Sequence, residues 1–449
     1  MNWKKISILA VMLAFLAAAI VYVNRRGKGR QEAEGILFDI APDAVEKIEL
    51  LNRSGRFVFA RQETLWRLEA PLAAKADKVA LEGILDNFCR LTYDRLVEEN
   101  AAELKDFGLN KPEIELRLFA KGKPPRTLLL GMKNAIDDSS YAKLADGGRV
   151  VTVAAYKRGV LDKDLFAFRD KKFLAIDAMA VHALHYRREA SDVSLTRKET
   201  GWFMEKPVYS LAQESKVSDI LSAAADLEAQ SFAPAPAGGA IGEFGLDKPV
   251  LVAEFRSPAG TRQVTVGRKG DAYYALADGS SEICGIAKDF LDKFAANAAA
   301  LRETKVAPFY AFDVRELALR QGAFGFAARK DAAGAWKLDG PTQGKKPSAE
   351  KIESLLTSLA GLEAREFIDG AKELPSFPTR IILKTEDPAD PKRTSSIVIE
   401  FSAAEGDAVV VRNPALPYLF KTGKEILEKM PAKLDDVCEE KAKAEVPET

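Results

Sequence analysis

One segment of this chain occurs three times, and that repetition limits the possible folds more than any other feature. Trp-x4-Pro appears as Trp66–Pro71, Trp202–Pro207 and Trp336–Pro341, at spacings of 136 and 134 residues. Each copy precedes an apolar stripe of constant phase. The stripes are Leu81, Ile84, Leu85, Phe88 and Leu91; Val217, Ile220, Leu221, Ala224 and Leu227; and Ile352, Leu355, Leu356, Leu359 and Leu362. The pattern i, i+3, i+4, i+7, i+10 places them on one face of an amphipathic helix. Five residues past each stripe stands another large apolar residue, Leu96, Phe232 or Phe367.

Further marks recur in the same order. Phe107-Gly108-Leu109-Asn110-Lys111-Pro112 matches Phe244-Gly245-Leu246-Asp247-Lys248-Pro249. Glycine can take the left-handed position after a last helical turn, leucine supplies an apolar contact, and proline forces its predecessor extended. The third copy keeps only Pro378 before Ile381-Ile382-Leu383. Tyr141…Leu144-Ala145-Asp146-Gly147 pairs with Tyr273…Leu276-Ala277-Asp278-Gly279, a tight-hairpin signal. Leu161-Asp162-Lys163, Leu291-Asp292-Lys293 and Leu427-Glu428-Lys429 stand near the copies' ends. An ordered series at near-constant offset means internal repetition.

Within the first copy, strands are expected at Val45–Leu51, Arg56–Arg61 and Thr64–Glu69, then the amphipathic helix. Strands at Glu113–Phe119, Arg126–Leu130, Ser140–Leu144 and Val150–Val153 follow, with a short helix near Lys157–Asp164. Units this long can each bury a core. The predicted class is α+β, with three tandem, mostly antiparallel β-sheet domains carrying one main helix each. The expected boundaries are 43–172, 173–307 and 308–437, with Ala233–Gly242 a loop and 438–449 a solvated tail.

Ahead of the repeats, Ile6–Val23 is an 18-residue apolar run broken only by Ser7. As a helix it would span about 27 Å, enough for the hydrocarbon core. Trp3 and Tyr22 sit at interfacial positions. Lys4 and Lys5 precede the run, and Arg25, Arg26, Lys28 and Arg30 follow it. No small-residue cleavage site or lipobox cysteine follows, so residues 1–30 read as an uncleaved signal anchor. Basic residues flank both ends and leave the orientation open, whereas a short head before a large polar body favours export. The expected topology is single-pass, with the bulk of the chain extracytoplasmic.

Chemistry is poorly represented. Among 449 residues, 66 Lys and Arg balance 66 Asp and Glu, so the basic footprint of a nucleic-acid binder is missing. Cys89, Cys284 and Cys438 form no CxxC pair. The two histidines, His182 and His185, form an HxxH pair on an expected strand, where residues three apart point to opposite faces and cannot share a metal. Ser348 and Lys351 fit SxxK, but Ser348 opens the third helix and reads as its N-cap. Asp137-Asp138 and Asp435-Asp436 read as solvated acids. The three Trp residues could stack sugars, yet a strand position before a proline turn favours packing. The chain contains no GxxxxGK[ST] or GxGxxG phosphate cradle. No catalytic, cofactor-binding or metal-binding residue is assigned.

The basic head, single anchor, Trp-x4-Pro, Gly-Leu-Asp/Asn-Lys-Pro turn and hairpin together resemble the bacterial domain-of-unknown-function family 4340, over nearly the whole chain after residue 40. These marks are structural, and no functional residue carries over. What the resemblance implies is a context, alongside ABC-transporter components similar to gliding-motility auxiliary proteins. The expected function is therefore a non-enzymatic, membrane-anchored extracytoplasmic scaffold or accessory protein with protein partners. The alternative is a glycan- or peptide-binding receptor.

Overall fold

The computed structural model describes residues 35–234, 241–340, 344–387 and 390–439. The apolar run Ile6–Val23, residues 438–449 beyond Glu439, Pro341 and part of the loop Ala233–Gly242 lie outside them. Among the described residues no helix is long and apolar enough to cross a membrane.

The protein has an α+β architecture of repeated, antiparallel sheets. In the first sheet the spatial order of nine strands is Ala74–Lys75, Leu65–Ala70, Gly55–Gln62, Val45–Asn52, Ile114–Ala120, Arg126–Lys133, Ser139–Leu144, Val150–Ala154 and Arg95–Glu98. A second nine-stranded sheet, from Ser210–Leu211 to Ser231–Phe232, has the same order. The third, from Trp336–Asp339 to Glu366–Ile368, repeats it with eight strands. The chain divides between Phe173 and Leu174 into two compact units, the first holding one repeat and the second two.

Each repeat carries one amphipathic helix: α1 (Lys78–Phe88), α2 (Glu214–Ala225) and α3 (Ala349–Ala360). Asp77 caps α1 by accepting the Ala80 N–H at 2.7 Å, and Ser348 caps α3. The stripe residues within the helices are buried in all three. In the first repeat α1 packs with Ile48, Phe59, Leu116 and Leu128 from the sheet; in the third, α3 packs with Leu317, Ile381 and Phe401. Trp66, Trp202 and Trp336 occupy equivalent strands and are buried.

The Phe-Gly-Leu turn covers the opposite face of its sheet. A 3-10 turn, Lys105–Phe107 or Ile241–Phe244, ends at Gly108 (φ 67°) or Gly245 (φ 69°). Leu109 and Leu246 are buried, and Phe107 meets Tyr141 edge-on at 5.0 Å as Phe244 meets Tyr274 at 4.8 Å. A β-carbon on Gly131 or Gly267 would overlap the carbonyl oxygen of Phe107 or Phe244. Strand register places Ser402 at this position in the third repeat, which lacks the turn, so the two features change together. Gly267→Ala should therefore cost about 1–3 kcal/mol by overpacking. An unchanged urea midpoint would contradict this packing.

The register also corrects one pairing of the repeats. Ala142 and Ala275 are the equivalent buried residues, opposite Leu130 and Val266. Tyr141 therefore corresponds to Tyr274, not Tyr273. Side chains alternate between faces, so the buried face fixes the register and the loop absorbs the one-residue slip. That loop, residues 145–149 in the first repeat, is longer than a two-residue hairpin.

Closure of the first two repeats uses the recurring Leu-acid-Lys. Asn52 donates to the carbonyls of Leu161 (2.7 Å) and Lys163 (2.8 Å). Arg188, at the equivalent strand end, donates to the carbonyls of Leu291 (2.6 Å) and Phe294. Beyond this clamp the exit segment bridges back to the residues ahead of the helix: Arg169 to Ala76, Arg302 to Ala212, and Cys438 to Pro347.

Candidate functional site

Most residues with possible chemistry are committed to structure. Ser348 Oγ accepts the Lys351 N–H at 3.4 Å, while Lys351 Nζ reaches the carbonyl of Cys438 at 2.9 Å. The lysine amine is engaged with the exit segment, and the serine works as a cap. Asp137 accepts the Ser139 hydroxyl at 2.5 Å and Asn134 Nδ2 at 2.8 Å. The Ser139 hydroxyl holds its carboxyl below the usual range, so acidification through that lowered range weakens the turn. Asp435 pairs with Lys345 at 2.6 Å, and Asp436 accepts the N–H groups of Ala432 and Lys433.

Strand alternation does not separate the two histidines. Val181 and Leu184 are three apart yet both buried, as are Val45 and Ile48, and Val314 and Leu317. Register shifts after Val45 and Val314 mark a bulge at this point of the first and third repeats, and His182 lies just ahead of the strand Ala183–Arg188 in the second. Opposite faces therefore cannot be assigned to His182 and His185 by counting. What separates their roles is partnership. His185 Nε2 lies 2.7 Å from Asp192 Oδ1, the position of the Glu49–Arg56 pair in the first repeat, and His182 is exposed. Among the described residues no three His, Cys, Asp or Glu side chains form a group that could hold a metal. The buried tryptophans offer no open ring face for a sugar.

Two features that the sequence did not single out have the geometry of a site. The first is the junction between the two repeats of the second unit. Arg302, only 5% exposed, donates through both terminal nitrogens to Asp369 at 2.7 and 2.8 Å. Its guanidinium lies 3.8 Å from the Phe367 ring centroid and 4.8 Å from that of Tyr418. Tyr418 Oη accepts the Leu211 N–H at 3.1 Å, and burial pushes its phenol up to about 12. The connecting segment pairs with the residues after α3: Ala364 N–H donates to Thr304 O at 2.8 Å, and Val306 N–H to Leu362 O at 3.0 Å. In the first repeat the corresponding place is filled by Gly35–Asp39, paired with Arg90–Tyr93. Phe367, recognisable in sequence as the recurring apolar residue, is thus an inter-repeat contact.

The second feature is a cleft of about 300 Å³ at the closing edge of the second sheet, lined by Gln230, Ser231, Tyr273, Tyr274, Gly285 and Lys288 among others.

Tandem antiparallel α+β repeats with this junction define the class of protein, and the comparisons define its family. The chain matches the family model described as a domain of unknown function, DUF4340, over residues 66–238 and 202–379. It belongs to that family. Both matches begin at a repeat tryptophan and run beyond the next one, so they overlap. No curated protein matches the chain. Among solved structures, a ligand-bound DNA polymerase sliding clamp from Pseudomonas aeruginosa is 6% identical, covering 87% of this chain and 94% of that one at a TM-score of 0.15. The DNA polymerase III β subunit of the same organism gives 6% identity, 88% and 93% coverage, and a TM-score of 0.14. At those scores neither likeness carries an argument.

Proposed function

We propose that the chain is a non-enzymatic, membrane-anchored extracytoplasmic scaffold or accessory protein. Ile6–Val23 is its single-pass anchor, and both compact units are exported. The Arg302–Asp369 junction carries this reading, because it fixes one repeat to the next through a buried charge rather than leaving that charge free for a substrate. The structural duties of Ser348, Lys351 and the acid pairs support it too. An ABC-transporter-type envelope assembly is the proposed setting, on the strength of the family resemblance, and its partners are proteins rather than nucleic acid. The cleft in the second repeat favours the alternative, a glycan- or peptide-binding receptor.

Topology is tested by fusing reporters after Glu439. An alkaline phosphatase fusion should be active and a fluorescent cytoplasmic reporter dark; the opposite pair of results refutes the proposed export. The setting is tested by cross-linking the tagged protein in intact cells and purifying it from membranes. Transporter subunits should co-purify in stoichiometric amount, and their consistent absence removes the transporter from the proposal.

A further inference from the structure

The three repeats place different residues on one cross-strand row at the outer face of the sheet. In the first repeat the row is Tyr141–Thr152–Arg95, and in the third Val410–Lys421–Glu366. Both rows are filled: Thr152 is buried, Arg95 reaches Asp137 at 3.8 Å, and Lys421 pairs with Glu366 at 3.5 Å. In the second repeat the row is Tyr274–Gly285–Ser231. Glycine and serine replace the two larger side chains, and the 300 Å³ cleft lies here. Even a single added carbon at Gly285 would overlap Ser231 Oγ. Its backbone φ is not left-handed, so conformation does not explain the glycine.

The cleft's chemistry selects a ligand class. Tyr274 is half-buried, its ring held by Phe244, and Tyr273 also lines the cleft. Asp271 already faces Arg268 at 3.5 Å, and Lys288 faces Asp292 at 3.8 Å, so the charges at the rim are balanced locally. The Gln230 amide and the Ser231 hydroxyl supply neutral donors and acceptors. An aromatic wall beside neutral hydrogen-bonding groups suits a ring with one C–H face and a hydroxyl rim. The volume is at the lower end for small-molecule sites. We propose that this cleft is a subsite for one neutral pyranose unit of a saccharide, opened in the second repeat alone by Gly285 and Ser231. This goes beyond the scaffold reading and does not depend on it.

The test uses the full chain in lipid nanodiscs, with saturation-transfer NMR against glucose, galactose, N-acetylglucosamine and their β-1,4-linked disaccharides. Inorganic phosphate, followed by ³¹P line broadening, is the charged control. At least one sugar should bind at about 1–10 mM or tighter, as expected for a single small subsite. Gly285→Thr and Ser231→Arg, which install the first repeat's side chains, should each weaken that binding at least tenfold, and Ser231→Arg should leave the thermal unfolding midpoint unchanged. Ser231 is exposed at the sheet edge, so its variant tests the cleft even where Gly285→Thr unfolds. No transfer to any sugar, transfer that survives Ser231→Arg, or a response to phosphate alone would overturn the assignment.

Discussion

Asp369→Ala should destabilise the second unit by roughly 2–4 kcal/mol, more than exposed ion pairs typically contribute. Removing the carboxylate leaves the Arg302 guanidinium between Phe367 and Tyr418 without its two charge-assisted hydrogen bonds. A buried charge stripped of its partner typically costs about 3–5 kcal/mol. Asp369 is itself 41% exposed, so solvent already screens the pair, and the lower part of that range applies. By contrast, the exposed Lys78–Glu82 pair at 3.6 Å should be worth about 0.5 kcal/mol or less. Hydrogen exchange provides the local readout. Amides of Val306 and Ala364, which bond across the junction, should lose protection before the core of either sheet does. A urea midpoint within error of the parent, with those amides still protected, would show that the junction is held by the paired segments alone.

How far the fold could be read beforehand depended on whether a residue's role was local. The helix stripes, the glycine turn and the central strands recur because each buries a fixed face within its own repeat. Strands such as Ala74–Lys75 and Arg95–Glu98 are short edge strands, and periodicity has too few residues there to register. Gly35–Asp39 has no local signal for a different reason, since its pairing with Arg90–Tyr93 depends on a contact about fifty residues away. The single closing helix expected near Lys157–Asp164 is split into Ala155–Leu161 and Leu165–Phe168, with Asp164 capping the second piece. Arg302 offered no signal at all. An arginine near the end of a repeat reads as solvated surface until Asp369, 67 residues later, is brought to it. Gly285 was equally silent, because its meaning lies in comparison with Thr152 and Lys421 across strand register rather than along the chain.

The largest effects are expected in the cores, where they also separate a scaffold from a catalyst. Leu356 is fully buried against α3's sheet, and Leu85 and Leu221 occupy the same helix position in the other repeats. Truncating Leu356 to alanine removes buried methyl and methylene groups and leaves a partly collapsed cavity. The expected cost is about 2–5 kcal/mol, measured as a shift in urea unfolding of the second unit. Leu85→Ala and Leu221→Ala should fall in the same range, near its lower end, because those side chains retain slight exposure. Ser348→Ala loses one capping hydrogen bond, about 1 kcal/mol, and His182→Ala at an exposed position almost nothing. His185→Ala gives up only its contact with Asp192, which itself is half in solvent. In cells the leucine variants should lose abundance and phenotype together, while the serine and histidine variants keep both. A histidine or serine variant that stays folded and abundant yet abolishes function would place chemistry at that side chain, and the non-enzymatic proposal would fall.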